Sequence, residues 1–363
     1  MAITAAMVKE LRELTGAGMM DCKKALNETN GNMEEAIEVL KKSGAAKMEK
    51  KASRIAAEGI ARVAIDGNSA VVAEVNSETD FVAKNETFQE FVQLVADNAL
   101  ASGLNGGKNG EDVEALLEMN GLKEVLIEKT STIGEKLSVR RFEKVTGECV
   151  ASYLHAGGKI GVLVAADGAA DAKEALTNVA MQVAAMNPQY ISRDDIAQAE
   201  IDKMREIIVD SSLNDPASLP KPILNALISK ACEEKVWSDE DIAIYEEKKS
   251  NMNYLFNFLS KEAKAALVAL AMEAKETITS DKIFNGAVEG RVSKQLKEIC
   301  LLDQTYVKAE DGKQTVGQYI AAVAKAAGAD LTLKTFVRFE TGEGIEKKNE
   351  NFAEEVAAQM AGK

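Results

Sequence analysis

His155 is the only histidine in the 363-residue sequence, so any nucleophile–histidine–carboxylate chemistry has to pass through it. It lies in the segment His155-Ala156-Gly157-Gly158-Lys159, where a turn histidine hydrogen-bonded to backbone is the plain structural reading. No Gly-x-Ser-x-Gly elbow, His-Glu-x-x-His helix or calcium loop occurs, and no Cys/His cluster has zinc spacing. Residues 103–110 look like a phosphate loop only in part. That motif needs Gly at 102 and Ser or Thr at 109, where the chain has Ser102 and Asn109. Gly16-Ala17-Gly18 is half of a dinucleotide fingerprint and follows a helical pattern rather than a strand. Carboxylates are abundant, but an acidic chain brings them together by chance. The residues therefore point to no catalytic site, no metal and no cofactor. Thr79-Asp80-Phe81 offers a different chemistry, a charge set beside a large apolar body.

The elements around that triplet are legible. Residues 70–75 form a short apolar run that reads as a strand, and residues 86–101 carry Phe88, Phe91, Val92 and Val95 at helical spacing. Thr79-Asp80-Phe81 thus falls where a strand gives way to a helix, in the kind of loop that carries function on a rigid scaffold. On local pattern alone, Thr79 or Asp80 is a helix N-cap and Phe81 folds into the core. Residues 59–65 and 69–75 around Asp66-Gly67-Asn68 read as a β-hairpin, since Asp-Gly suits turn positions with positive φ. Helical patterns over 111–119 and 122–133 lead to Gly134, then to a period-two strand over 137–145. Residues 149–154 and 160–166 form a second hairpin around His155. A helix over 172–186 follows, with Leu176, Val179, Ala180 and Val183 on one face, and it closes before Pro188. Two strand–strand–helix blocks in succession imply two related α+β subdomains.

At the N-terminus, residues 1–42 read as three short helices, and Asn32 with Glu35 has capping-box spacing. The Ala- and Lys-rich residues 43–57 read as a solvated helical tether, with Lys47, Lys50, Lys51 and Arg54 facing water. From Ser192 the chain turns helical, and Pro216, Pro220 and Pro222 cluster in one short loop. The expected object is a helical, coiled-coil-like arm with an elaborated tip, peripheral enough for residues 214–281 to be removable. A strand over 331–339 returns to the core, and a small helix bearing Phe352, Val356 and Met360 closes the chain. The expected class is α+β: a three-helix unit, a two-subdomain core with small antiparallel sheets, a long helical insertion and a C-terminal helix. The expected boundaries are 1–54, 55–146, 147–190, 191–304, 305–340 and 341–363.

Composition bounds the function. The chain is 46% hydrophobic and 28% charged, as in an ordinary globular protein, and its length allows two or three domains. A formal net charge of −14 argues against broad nucleic-acid binding, because phosphate contacts need clustered Lys and Arg. Cys22, Cys149, Cys232 and Cys300 lie far apart with no Cys-x-x-Cys pair, as expected of reduced, mostly buried thiols. The first residues lack a basic head with an apolar segment, and no apolar run approaches membrane-spanning length, so a cytoplasmic protein is expected.

Several ordered stretches carry a resemblance. They are Val8-Lys9-Glu10-Leu11-Arg12, Thr15-Gly16-Ala17-Gly18-Met19-Met20-Asp21-Cys22-Lys23-Lys24-Ala25-Leu26 and Thr79-Asp80-Phe81-Val82-Ala83-Lys84. Further on come Ile160-Gly161-Val162-Leu163-Val164, Val288-Glu289-Gly290-Arg291, Arg338-Phe339-Glu340 and Gly342-Glu343-Gly344-Ile345-Glu346-Lys347. Along nearly its whole length the chain resembles bacterial translation elongation factor Ts. The resemblance implies a guanine-nucleotide exchange factor for elongation factor Tu, without enzymatic chemistry or cofactor of its own. It implies that the three-helix unit is ubiquitin-associated-like and docks on the partner's GTP-binding domain through Arg12, Met19, Met20 and Lys23. It implies that Thr79, Asp80, Phe81 and Val82 intrude beside the partner's nucleotide–magnesium site. Ile133 and Gly134 match a further contact, and His155 matches a position facing another domain of the partner. The arm over 192–299 is much longer than the family's usual helical hairpin, so no arm residue is nominated and self-association is left open. The rival readings are a ubiquitin-associated-type adaptor or chaperone cofactor and, more weakly, an enzyme using His155.

Overall fold

Short polar side chains start two of the three N-terminal helices. The computed structural model describes residues 3–169 and 171–346. In it, the Thr4 hydroxyl accepts from Met7 N–H at the start of α1 (Ala5–Thr15), which ends at Gly16 in the left-handed conformation, φ +63°. After α2 (Met19–Glu28), Asn32 accepts from the amides of Glu34 and Glu35 and donates to the Glu35 carboxylate, starting α3 (Met33–Lys51). The three helices share a small core of Val8, Leu11, Cys22, Ala25, Leu26 and Ala36.

α3 corrects the tether expected over 43–57. It runs unbroken to Lys51, and only residues 52–57 separate it from the first strand. The first part of that stretch is helical and mostly exposed, as expected, but it is not a free spacer. Gly44 is buried, and a Cβ there would stand 3.0 Å from Ile127 Cγ2, so the missing side chain lets α3 lie against a core helix. Lys47 pairs with Asp21 at 2.8 Å, and Met48 packs on the main core.

β1 (Glu58–Asp66) and β2 (Ser69–Ser77) form the expected hairpin, closed at Asp66↔Ser69 with Gly67 at φ +54°. A single helical turn α4 (Asp80–Ala83), then α5 (Glu86–Ala101), a two-residue β3 (Gly106–Gly107), α6 (Val113–Leu117) and α7 (Leu122–Ile133) lead to β4 (Ser138–Thr146). The first sheet has the order β1-β2-β4-β3. β5 (Cys149–His155), β6 (Ile160–Gly168) and, much later, β7 (Leu331–Glu340) make the second, antiparallel sheet. Between them in sequence lie α8 (Lys173–Met186) and the helical unit described below.

The two sheets pack face to face. Ala61, Ala70 and Val72 of the first meet Leu163, Ala165, Val337 and Phe339 of the second. Gly161 marks the closest approach, since a Cβ there would sit 2.9 Å from both Ala61 Cβ and Val72 Cγ2. On its other face the first sheet covers Phe88, Phe91, Val92 and Val95 of α5 with Leu122 and Leu126 of α7. β2 is therefore buried on both faces, which is why residues 70–75 read as an apolar run without alternation. The charge it carries there, Glu74, is fully buried and meets Arg141 at 2.6 Å, Arg140 at 3.0 Å and the Gly342 amide at 2.8 Å. Arg141 also lies 4.2 Å over the Phe339 ring and donates to the Glu340 carbonyl, binding the end of β7 to the first sheet.

By contact, the first compact unit runs to Asn187 and resumes at Tyr306; the second is Pro188–Thr305. The second holds α9 (Gln198–Asn214), α10 (Lys221–Glu233), α11 (Asp239–Lys248), α12 (Met252–Phe258), α13 (Lys261–Glu273), α14 (Lys275–Ser280) and α15 (Lys282–Ile299). It is a helical unit with one apolar core. Leu213, Leu224, Ile228, Leu255, Leu267, Phe284 and Val288 share that core. Trp237 is buried with them and donates from Nε1 to the Ala263 carbonyl at 2.9 Å. The buried carboxylate of Asp241 ties Ser238 to Ser260, accepting from both hydroxyls and from the Ser260 amide.

Three helices escaped the sequence reading: α12, α14 and, just before β7, α16 (Val316–Ala327). α16 carries a full capping box, Thr315 with Gln318, which is a signal the residues displayed. The expected closing helix with Phe352, Val356 and Met360 lies outside the described residues.

Candidate functional site

Phe81 is 80% exposed, which overturns the local-pattern reading that folds it into the core. It sits at the second position of α4, one turn long, between a braced start and a packed end. At the start, Thr79 is the N-cap, its hydroxyl facing the Val82 amide at 3.4 Å. At the end, Ala83 is buried and Val82 packs on the main core. Asp80 and Lys84 pair at 2.7 Å on the exposed side, and this hydrogen bond holds the Asp80 carboxyl below its ordinary value. The Lys84 ammonium also stands 5.9 Å from the Phe81 ring centre.

A second loop is bound to the first. α7 ends at Gly134, φ +88°, with nothing within 4 Å of where its Cβ would be, so the chain turns sharply into open space. The next residue, Glu135, accepts from the Thr79 amide at 3.0 Å and from the Thr79 hydroxyl at 2.6 Å. In return Glu78 accepts from the Lys136 amide at 2.5 Å and pairs with Arg54 at 3.2 Å. Ile133 is half-buried against the main core, so of the expected pair Gly134 is the outward residue.

The N-terminal candidates form one patch. Arg12, Met19, Met20 and Lys23 line a groove with Ile3 and Val8, and Met20 is 74% exposed. Thr132 donates to the Gly16 carbonyl at 3.5 Å, which sets this patch beside the end of α7. His155 ends β5 at the β5–β6 turn. It is exposed, its Nδ1 lies 3.1 Å from the Tyr153 hydroxyl, and among the described residues no hydrogen bond joins it to residues 79–82. Its turn is pinned to β1, because Arg62 donates to the Gly157 carbonyl at 3.1 Å. A Cβ at Gly158, φ +103°, would stand 2.6 Å from the Ala61 carbonyl oxygen.

Sequence reasoning missed Glu78 and Glu135. The available signal was an acidic residue just past a helix C-terminus, where the macrodipole disfavours negative charge unless a partner compensates. Cys22, Cys149 and Cys300 are buried, and burial pushes their thiols up. Among the described residues no group of three or more His, Cys, Asp or Glu side chains could hold a metal ion. Among them, too, no helix is long and apolar enough to cross a membrane.

An α+β scaffold that presents an exposed aromatic and an ion pair on a braced loop, and two exposed methionines at the start of α2, is furnished for recognising a surface. The sequence matches the family model described as Elongation factor TS over residues 78–343, and the chain belongs to that family. It is 44% identical over 369 aligned residues to Elongation factor Ts of Clostridioides difficile strain 630, covering 99% of each chain.

Proposed function

We propose that this chain is a cytoplasmic guanine-nucleotide exchange factor that binds GDP-loaded elongation factor Tu and releases its GDP during protein synthesis. The observation that carries the reading is Phe81, held almost fully in solvent beside Asp80 on a loop braced at Thr79. Solvating a Phe ring is unfavourable, and a loop that keeps one exposed is furnished for a partner that covers it. Thr79, Asp80, Phe81 and Val82 enter beside the partner's nucleotide–magnesium site, with Ile133 and Gly134 flanking them. The three-helix unit, ubiquitin-associated-like in this reading, contributes Arg12, Met19, Met20 and Lys23 to the partner's GTP-binding domain. His155 faces another of its domains.

No catalytic group is required. An exchange factor that binds the nucleotide-free partner more tightly than the nucleotide-bound one weakens nucleotide binding by the same factor. The Phe81 ring acts sterically and the Asp80 carboxylate electrostatically, opposing a nearby magnesium–phosphate arrangement. Mixing the purified chain with elongation factor Tu loaded with fluorescent GDP tests the reading. GDP release should accelerate many-fold; unchanged release at micromolar protein defeats it.

A further inference from the structure

α4 has four residues, too few to hold a helical turn in water without outside support. Phe81, with most of its ring in solvent, contributes little packing that could hold it. Val82 and Ala83 pack the end of α4 on the core, so at its start the position of the ring is set by the backbone at Thr79. In a capping box the N-cap amide is accepted by a Glu or Gln three residues on, at the third helical position. Here that position is Val82, which has no acceptor. Glu135, 56 positions away, supplies it instead and takes the Thr79 hydroxyl on its other oxygen. The Ser77 hydroxyl donates to the Thr79 carbonyl at 3.0 Å, so both backbone polar groups of Thr79 are held from outside α4.

The brace is reciprocal. Glu78 receives the Lys136 amide as Glu135 receives the Thr79 amide, so each loop supplies the carboxylate that fixes the other. Lys136 Nζ then donates to the carbonyls of Ala52 at 2.7 Å and Arg54 at 2.8 Å, and Glu78 takes the Arg54 guanidinium. The segment leaving α3 is drawn into the same knot. The geometry points to Glu135 as a positioning residue: with Glu78 it forms a capping box in trans that holds the Thr79–Phe81 loop in its docking geometry before any partner arrives. This rests on the exchange-factor reading for its consequence, though not for its existence. A wedge fixed in advance forfeits little ordering entropy on docking, so the brace acts on the strength of the wedge rather than on the remaining contacts.

Two variants test it. Glu135→Ala removes the brace; Glu135→Gln keeps the volume but leaves one Thr79 donor facing an amide NH2. Amide hydrogen exchange of the free protein over residues 79–83 should rise about tenfold or more in Glu135→Ala, as expected for losing charge-assisted hydrogen bonds. Glu135→Gln should give a smaller rise. With GDP-loaded elongation factor Tu, the maximal release rate should fall about tenfold, while the half-saturating concentration moves less than about threefold. In a Phe81→Ala background, Glu135→Ala should cause a clearly smaller further loss, because most of its effect passes through the ring and only the part carried by Asp80 and its neighbours remains. Unchanged amide exchange in both variants overturns the brace. Multiplicative losses with Phe81→Ala, or near-normal release despite loosened amides, overturn its role. A wild-type chain that leaves GDP release unchanged defeats the exchange reading alone, and the amide measurements still decide whether the brace exists.

Discussion

Replacing Phe81 by alanine separates a wedge from a core residue, and the structure sets the size of each effect. The ring is 80% exposed, so folding removes about a fifth of its surface from water. Burying a whole Phe side chain is worth about 1.5–3 kcal/mol, and a fifth of that is about 0.3–0.6 kcal/mol. The Lys84 contact at 5.9 Å is solvent-exposed and adds about 0.5 kcal/mol. Alanine, the better helix former, recovers part of this. The free protein should therefore lose less than about 1 kcal/mol, a drop of about 2–4 °C in Tm for a domain of this size. Phe88, fully buried one helix further on, is the control, and Phe88→Ala should cost about 3–5 kcal/mol. GDP release from elongation factor Tu should show the reverse order. A central aromatic anchor is worth about 2–4 kcal/mol at an interface, so Phe81→Ala should slow release about 30- to 1,000-fold at subsaturating protein. Thermal melts of both variants beside fluorescent-GDP release rates make the comparison. Release within about twofold of wild type, or a stability loss approaching that of Phe88→Ala, refutes the wedge.

Glu74→Ala should destabilise the first unit by up to about 3–5 kcal/mol in urea titrations, because it leaves Arg141, with 7% of its side chain exposed, with only the half-exposed Glu343 carboxylate at 3.3 Å to offset its charge; a loss below about 1 kcal/mol would show the pair to be dispensable. Glu143 is pushed above its ordinary carboxyl range, first by burial and then by Glu111. A raised folded-state pKa means the folded chain binds the proton more tightly, so stability falls as pH rises from the unfolded value through the folded one. Glu143→Gln should thus stabilise the protein at neutral pH, and the gain should vanish below about pH 4, near the unfolded carboxyl value; a gain independent of pH contradicts this assignment. Joining Asn187 to Tyr306 by a short Gly/Ser linker should give a soluble, exchange-competent protein, because Gln182 Oε1 accepts the Val307 amide at 2.8 Å and holds the two ends near each other. Removing only residues 214–281 should instead yield aggregates, since it strips Leu224 and Leu267 from Leu213 and Val288; soluble protein from the shorter cut, or none from the longer, reverses the reading.

The elements most legible in the residues were those whose signals are local. The Asp66-Gly67-Asn68 hairpin, the Asn32 cap with Glu35 and the closure of α8 before Pro188 each depend on groups within a few positions of one another. Short-range hydrogen bonds and backbone preferences decide such features, and they act in any tertiary setting. The motifs that carried the family resemblance were legible for the same reason, as contiguous runs of residue types.

What the sequence alone determined was therefore an α+β chain with two strand–strand–helix blocks and a helical insertion. Tertiary structure decided the rest. α3 continues through Gly44 because packing on Ile127 outweighs the roughly 1 kcal/mol helix penalty of a glycine, a balance invisible without α7. Residues 192–299 became a unit with its own core because seven helices can bury one another, whatever their order suggests. The direction of Phe81 was undecidable locally, since a helix start admits an aromatic turned inward or outward. In the fold the turn is held by Val82 and Ala83 packed on the core and by Glu135, 56 positions away, on the N-cap, and the ring stands in water. Chain-distant pairs of this kind are specified by the packing of α7 against the first sheet, and no window of neighbouring residues contains them.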